Sequence, residues 1–436
     1  MDYSLTLPVS MPIWTTAFFA AMLAAIATFP LVAEHWWHLN RNKLIVSVAL
    51  SLPVLLFLMS QGLYAPIEHA AEEYFAFIVL LGSLFIISGG ILVEGDIRAT
   101  PMVNTGFLAL GAVLASLMGT TGASMLLIRP LLRTNSERKF TLHTPIFFIF
   151  IVSNVGGLLT PLGDPPLFLG YLRGVPFEWT FGLWKEWFVV SAVLLAVYFV
   201  LDTRAYTKER EVDIAIDRRR VEPLKISGTM NLVWLLGVVL AVAFLNEKYI
   251  GEAAHFFTRE WVMIGMAGLS WWLTPKLLRE KQSFSFGPIA EVAVLFIGIF
   301  ITMIPALMLL EQHGGKLGLT HPWQFFWGTG LLSSFLDNAP TYLTFFSLAQ
   351  ASSGDLGTLY PAMEMVQHIP TNILAGIALG AVFMGAMTYI GNGPNFMVKA
   401  IAEENGIKMP SFGGYLKWSL AVLLPIWVLV TVLFLL

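Results

Sequence analysis

The chain has no cysteine in its 436 residues. Disulfides, thiolate metal sites and cysteine nucleophiles are thereby excluded. Charge is scarce too. Asp, Glu, Lys and Arg make up 12% of the sequence, roughly half the share of a soluble domain. No His-x-x-x-His pair, phosphate loop, nucleophile elbow or dense basic run occurs. Zinc peptidase, nucleotide hydrolase, serine hydrolase and nucleic-acid binder therefore have no motif to stand on. The formal net charge of −3 is uninformative by its sum; the placement of the charges carries the signal.

What fills the chain is apolar: 57% hydrophobic residues and a mean hydropathy of +0.74. Runs near the ~20 residues needed to span a bilayer recur from end to end. Ten segments read as crossings, at 12–33, 44–64, 74–93, 143–172, 184–201, 229–246, 260–275, 288–310, 371–401 and 415–436. The residues before Met11 contain no Lys or Arg, so the first run reads as a mature span, not as a cleavable signal peptide. Two further stretches, 103–133 and 322–353, each hold two shorter apolar runs of 10 to 15 residues around a polar tip. The tips are Gly119-Thr120-Thr121-Gly122-Ala123-Ser124 and Leu336-Asp337-Asn338-Ala339-Pro340-Thr341. Arms of that length reach only about 22 Å, so both stretches are expected to enter the membrane and return.

Charge supports that count. With an external N-terminus and two returning hairpins, 20 of the 25 Lys and Arg fall on the cytoplasmic side, a strong positive-inside signal. Five, namely Arg173, Lys185, Lys248, Arg259 and Lys316, fall outside. Either hairpin read as a crossing would invert everything after it. Five crossings per half then give the second half the opposite orientation, the pattern of an inverted repeat. The halves are expected at 1–201 and 228–436, with hairpins 103–133 and 322–353 and broken helices 143–172 and 371–404. The charged segment 202–227 joins them as a solvated cytoplasmic linker with some surface helix, and both termini are expected on the opposite side from it.

One stretch states the repeat in residues. Thr160-Pro161-Leu162-Gly163-Asp164-Pro165-Pro166-Leu167-Phe168 returns 228 positions later as Thr388-Tyr389-Ile390-Gly391-Asn392-Gly393-Pro394-Asn395-Phe396. Gly157 falls on Gly385, and at an offset of 217 Glu94 falls on Glu311. Proline and glycine inside a lipid-length run forbid one continuous helix. The resolution is two half-helices around an unwound centre, which exposes backbone groups to a solute. The competing reading makes 143–160 an ordinary span and Gly-Asp-Pro-Pro an external turn; the echo at 388–396 speaks against it. Asp164 and Asp337 then lie within the membrane, where an acid costs about 2.5 to 3.5 kcal/mol and is functional by default. Asp337 also suits a helix N-cap.

If each hairpin tip meets the broken helix of its own half, two pockets result. The first holds Thr120, Thr121, Ser124, Asn154 and Asp164, with Thr160 and Gly163 shaping the break. The second holds Asp337, Asn338, Thr341, Thr388, Asn392 and Asn395, with Gly391 at its break. One carboxylate among neutral oxygens suits Na⁺ or a proton, not a soft metal. Glu291, Glu94 and Glu311 read as interfacial groups, and His143 as a residue at a cytoplasmic helix start.

Ser153-Asn154-Val155-Gly156-Gly157-Leu158-Leu159-Thr160-Pro161-Leu162-Gly163-Asp164-Pro165 and Leu336-Asp337-Asn338-Ala339-Pro340-Thr341 resemble motifs of the ion transporter superfamily. The likeness is in particular to the bacterial citrate transporters, often labelled sodium:proton antiporters through their similarity to D-type Na⁺/H⁺ antiporters. The arsenite pump and the dicarboxylate carriers are more distant. The resemblance implies a homodimer, a scaffold domain, a moving transport domain and elevator-like carriage of the site. Asn154, Asp337, Asn338 and Thr341 match its motif positions. The first hairpin departs, reading Gly-Thr-Thr-Gly where dicarboxylate carriers have Ser-Asn-Thr and D-type antiporters Asp-Asn.

The resulting expectation is an all-α secondary transporter of the bacterial inner membrane, not an enzyme. Its partners are the bilayer and a small ion or carboxylate, without nucleic acid, and it has no cofactor beyond Na⁺ or H⁺ as coupling ion. Na⁺/H⁺ exchange, with Na⁺ held by Asp164, Asn154, Asp337 and Asn338, is the first reading. It is favoured because no Lys or Arg is available at mid-membrane to meet an anion. Cation-coupled transport of citrate or another carboxylate is the alternative. A channel or a membrane scaffold stands further off, since the repeat lacks a ring of carbonyl filter loops.

Overall fold

The structure is a computed structural model and describes residues 11–436; the external placement expected for the N-terminus falls on residues outside that range. Among the described residues, seven helices are long and apolar enough to cross a membrane, and an eighth span forms if the pair Met230–Phe244 and Glu247–Ala254, bent by 73°, is counted as one. The chain is a multi-pass helical membrane protein.

Three long helices come first: α1 (Thr16–Val32), α2 (Asn40–Ser60) and α3 (Tyr64–Ser88). The third starts ten residues before the expected span at 74. Glu68, Glu72 and Glu73 look like loop residues in sequence, yet they are helical, and buried Glu73 is held by Arg173 at 2.5 Å. Strand β1 (Leu92–Asp96) follows. Glu94 therefore lies in a strand and does not end the preceding span as expected. Helices α4 (Pro101–Met118) and α5 (Thr120–Thr134) come next. Thr100 caps α4 through Val103 N at 3.3 Å and Pro101 opens it, a position where the missing N–H is no loss. Gly119, at φ +81, turns the chain between α4 and α5. Asn104 near the start of α4 and Asn135 just past α5 exchange hydrogen bonds at 2.8 and 2.9 Å, so the two helices fold back along each other. At 18 residues α4 is longer than the arm expected there.

The next apolar stretch is interrupted as expected. Helix α6 (His143–Ile151) gives way to a 3₁₀ turn at Val155–Leu159, then extended Thr160, then α7 (Pro165–Leu172). Helix α8 (Trp184–Tyr206) closes this part of the chain. The segment 202–227 carries the surface helix expected of it and, beyond that, a strand. It contains α9 (Glu211–Arg219) and strand β2 (Glu222–Ser227), which pairs antiparallel with β1 from Leu92↔Ser227 to Asp96↔Glu222. A minor two-stranded ribbon also forms at Met365–Val366 and Ile369–Pro370.

Then come α10 (Met230–Phe244), α11 (Thr258–Leu273) and α12 (Gly287–His313). Helices α13 (Pro322–Phe335) and α14 (Asn338–Ala351) meet at extended Leu336 and Asp337. Helix α15 (Thr371–Met384) leads through a 3₁₀ turn at Gly385–Met387 and extended Thr388 into α16 (Gly393–Glu404). Helix α17 (Phe412–Val430) follows. Polar contacts gather at two ends of the bundle. At one, Lys43 meets Glu291 at 2.7 Å, Lys281 meets Glu94 at 2.8 Å, and β1 meets β2. At the other, Arg173 meets Glu73, Lys248 meets Glu178 at 2.9 Å, and Gln367 donates to Gly174 O at 3.0 Å. Glu291, partly exposed at this end as an interfacial group is expected to be, is in addition the ion-pair partner of buried Lys43.

Candidate functional site

The breaks in the two interrupted stretches are built alike. Gly163 lies so close to Gly157 that a Cβ would overlap its carbonyl oxygen, and Gly391 stands in the same relation to Gly385. Thr160 Oγ1 donates to Ser116 O, and Leu162 N returns a bond to Thr160 Oγ1 at 3.1 Å. Thr388 Oγ1 donates to Ser334 O at 2.5 Å, and Ile390 N bonds Thr388 Oγ1 at 3.3 Å. Ser116 Oγ donates to Gly156 O at 2.5 Å; Ser334 Oγ donates to Met384 O at 3.2 Å. These bonds occupy groups that a broken helix leaves unpaired. Each serine is four residues or fewer from its tip, at the offset of 218 that also relates Thr120 to Asn338, one more than the 217 that aligns Thr121-Gly122-Ala123-Ser124 with Asn338-Ala339-Pro340-Thr341 in sequence. That one-residue shift hid Ser116 and Ser334 from the sequence comparison.

Asp164 sits at the centre. Its Oδ1 accepts from Thr120 Oγ1 at 3.0 Å and from Asn392 Nδ2 at 3.0 Å; its Oδ2 accepts from Asn338 Nδ2 at 2.5 Å. The amide of Asn392 also reaches Ser153 O at 3.1 Å and Asn154 Oδ1 at 3.2 Å. Asn154 Nδ2 donates to Asn395 Oδ1 at 2.7 Å and to Ile149 O at 2.8 Å. Asn395 spans its own break, donating to Gly385 O at 2.8 Å and Thr388 O at 2.9 Å. Thr120 N is bound to Gly163 O at 2.8 Å, which fixes the first tip against the first break. All these side chains are buried.

Two separate pockets were expected; one shared cluster is found. Asn338, Asn392 and Asn395 were assigned to the second pocket, yet they turn to Asp164 and Asn154. The reason is chemical: a buried carboxylate needs several donors, its own tip supplies one hydroxyl, and the facing elements carry amides. Asp337 stays out of this network. It is half-buried and caps α14 through Ala339 N at 3.0 Å. Thr341 Oγ1 bonds back to Asp337 O at 2.8 Å. Ser124 pairs with Ser153 at 2.9 Å, a partner not singled out from sequence. Thr121 is half-buried, and its hydroxyl takes no part.

Two electrostatic features define what the cluster can hold. First, four helices begin at it. Thr120 and Asn338 are the first residues of α5 and α14, and Asp164 and Asn392 are the N-cap positions of α7 and α16. Each N-terminus carries roughly half a positive charge; α7 contributes this dipole alone, since Pro165 and Pro166 at its start have no N–H to offer an anion. Second, Asn338 Oδ1 is buried without a hydrogen-bond partner. An unsatisfied buried acceptor costs about 1–3 kcal/mol, and a neutral amide oxygen near a carboxylate is of the type that hard cations accept.

A different buried network closes the far end of α4 and α5. Arg138 donates to Asp202 Oδ1 at 2.6 Å and Oδ2 at 3.2 Å; His143 Nε2 lies 2.9 Å from the same carboxylate, and Asn104 donates to it at 3.0 Å. Sequence placed Arg138 and Asp202 in solvated loops. No periodicity marks two charges of opposite sign that meet 64 residues apart.

Interrupted helices whose N-termini surround a buried carboxylate, within a multi-pass bundle, define a secondary transporter. The chain belongs to the citrate-transport family: residues 8–435 match the family described as "Putative citrate transport". No curated protein matches it. Its work is transport, not catalysis.

Proposed function

We propose that this chain carries citrate, or a polycarboxylate of similar chemistry, across the membrane together with a coupling cation. The observation that carries the reading is the convergence of four helix N-termini on Asp164. Their summed partial charge, about +2, supplies what a missing Lys or Arg would otherwise provide to an anionic substrate. That removes the physical objection that set Na⁺/H⁺ exchange first in sequence, and the family match favours the carboxylate. Asp164 and the free Oδ1 of Asn338 are the proposed cation ligands, with Thr120, Asn154 and Asn392 holding the carboxylate in place.

The inverted repeat, the two re-entrant hairpins and the elevator motion belong to the same proposal. The repeat is supported by the matched hydrogen bonds of the two breaks. The motion is supported by how the helices divide. α1, α2, α3, α10, α11 and α12 pack on one another, while the folded-back pairs and interrupted helices pack around the cluster. The interrupted segments bond to each other through Asp164, Asn154, Asn392 and Asn395; their ties to the outer helices, Tyr171 to Val242 O and Arg173 to Glu73, would have to exchange if they travel as a unit.

Labelled citrate uptake into proteoliposomes, with Na⁺ and proton gradients imposed in turn, tests the reading. Uptake that depends on either gradient is expected. Na⁺/H⁺ exchange remains the second reading, because Asp164 with Asn338 Oδ1 forms a cation site that needs no organic anion. An internal pH change on adding Na⁺ alone, without citrate uptake under any gradient, would replace the first reading with this one.

A further inference from the structure

Helices α5 and α16 both start at the Asp164 cluster, pack together, and end at a second feature. A cavity of about 540 Å³ lies beyond their C-terminal turns, within the size range of small-molecule sites. Arg129, Arg133, Arg138, Lys139 and Lys408 line it, together with neutral donors such as Asn135, and no Asp or Glu does. At ~1.5 Å per residue, Arg129 stands about 14 Å along α5 from Thr120.

A basic surface at this end of the bundle is expected from charge asymmetry alone, and cations at helix C-termini answer the dipole. Neither accounts for the excess. Elsewhere at this end some bases are paired, such as Lys43 with Glu291 and Lys281 with Glu94, and others are scattered singly over the surface; only the cavity gathers five of them in one concave wall without an acid in its lining. At the cavity Arg138 is neutralised by Asp202, and Arg129 has Glu404 at 4.0 Å. The side chains of Arg133, Lys139 and Lys408 form no ion pair with a described residue. Buried Glu209 lies 3.7 Å from Arg138 as well. Counting Asp202, Glu209, Glu404 and two half-charges from the helix ends against the five bases leaves a surplus of roughly one positive charge. Such a surplus in a concave wall concentrates small anions before they reach a deeper site.

The geometry points to this cavity as a second anion site: a vestibule that takes a soluble anion with at least two carboxylates, at the opposite end of α5 and α16 from the cluster. It rests on the carboxylate reading of the cluster for its role in transport, but not for its affinity.

Citrate titrated calorimetrically into full-length protein in neutral-lipid nanodiscs tests it, with Asp164→Asn present throughout to disable the cluster. Citrate binding is expected to persist, to weaken about tenfold between 50 and 300 mM salt as screening rises, and to exceed acetate binding by at least tenfold. Arg133→Gln with Lys408→Gln, both at exposed positions, should weaken citrate about tenfold and leave the thermal midpoint unchanged. Binding that ignores these two substitutions, or that vanishes with Asp164→Asn, overturns the vestibule. So does loss of citrate binding when anionic lipid is added at equal salt, which would assign the cavity to headgroups. The two proposals fail separately: wild-type liposomes that take up no citrate, while Arg133-dependent binding persists, would sink only the transport reading.

Discussion

Replacing Asp164 by Asn removes one charge and almost no volume, and the structure says how the surroundings respond. The carboxylate accepts three hydrogen bonds, from Thr120, Asn392 and Asn338. Bonds to a charged acceptor are worth about 1.5–3 kcal/mol and neutral ones about 0.5–1.5, so the exchange gives up about 3 kcal/mol. Against this, a buried ion carries a desolvation penalty of several kcal/mol, which the amide does not. The new amide can keep its oxygen toward Thr120 and Asn392 and turn its NH₂ to Asn338, whose free Oδ1 accepts after a flip. Fold stability is therefore expected to change by less than ~2 kcal/mol, in either direction. Coupled transport is expected to vanish, because the site loses its negative charge and Asn338 now points a donor where it held out an acceptor. Thermal unfolding followed by tryptophan fluorescence, beside citrate uptake in proteoliposomes, reads both quantities. Near wild-type uptake would refute the assignment of Asp164 to the coupling ion. Unfolding many degrees earlier would show that its carboxylate is chiefly structural.

Arg138→Gln strands the carboxylate of Asp202, whose side chain is fully buried, and should destabilise by about 3–5 kcal/mol; the double change with Asp202→Asn should recover most of it. Failure of that rescue in thermal unfolding would mean that Arg138 acts elsewhere. Asp96 and Asp217 lie outside the spans, and burial, joined for both by the charge of nearby Glu137, raises their pKa above the usual carboxylate value. The folded state then binds more protons than the unfolded one between the ordinary value near 3.8 and the raised one. Stability of the β1–β2 ribbon and α9 should therefore grow as pH falls from 7 into that window, which amide exchange corrected for intrinsic rates can measure. The natural absence of cysteine allows single-cysteine labelling without background. Ser136→Cys and Lys408→Cys should react from one side of the membrane, and Lys248→Cys and Lys316→Cys from the other; any mixed pair would break the charge-based topology.

Much of the architecture was written in the order of residue types. Apolar length made the chain a membrane protein, because a bilayer core admits little else. Prolines and glycines at 160–166 and 388–394 ruled out continuous helices, because proline's missing donor and ring clash act on the neighbouring turn wherever it stands. The sequence also marked Asp164, Asn154, Asn338 and Asn392 as polar groups too costly to leave idle in lipid. It could not say which of them meet. Pairing across 174 residues between Asn338 and Asp164, or across 238 between Asn392 and Asn154, depends on how helices cross, and helix crossing leaves no local periodicity. For the same reason the two expected pockets became one, Asp337 turned out to cap its own helix, and Arg138 and Asp202 went from loop residues to a buried pair. Composition and breakers chose the elements; only the tertiary arrangement brought four helix N-termini to one carboxylate, because that convergence is a property of directions in space.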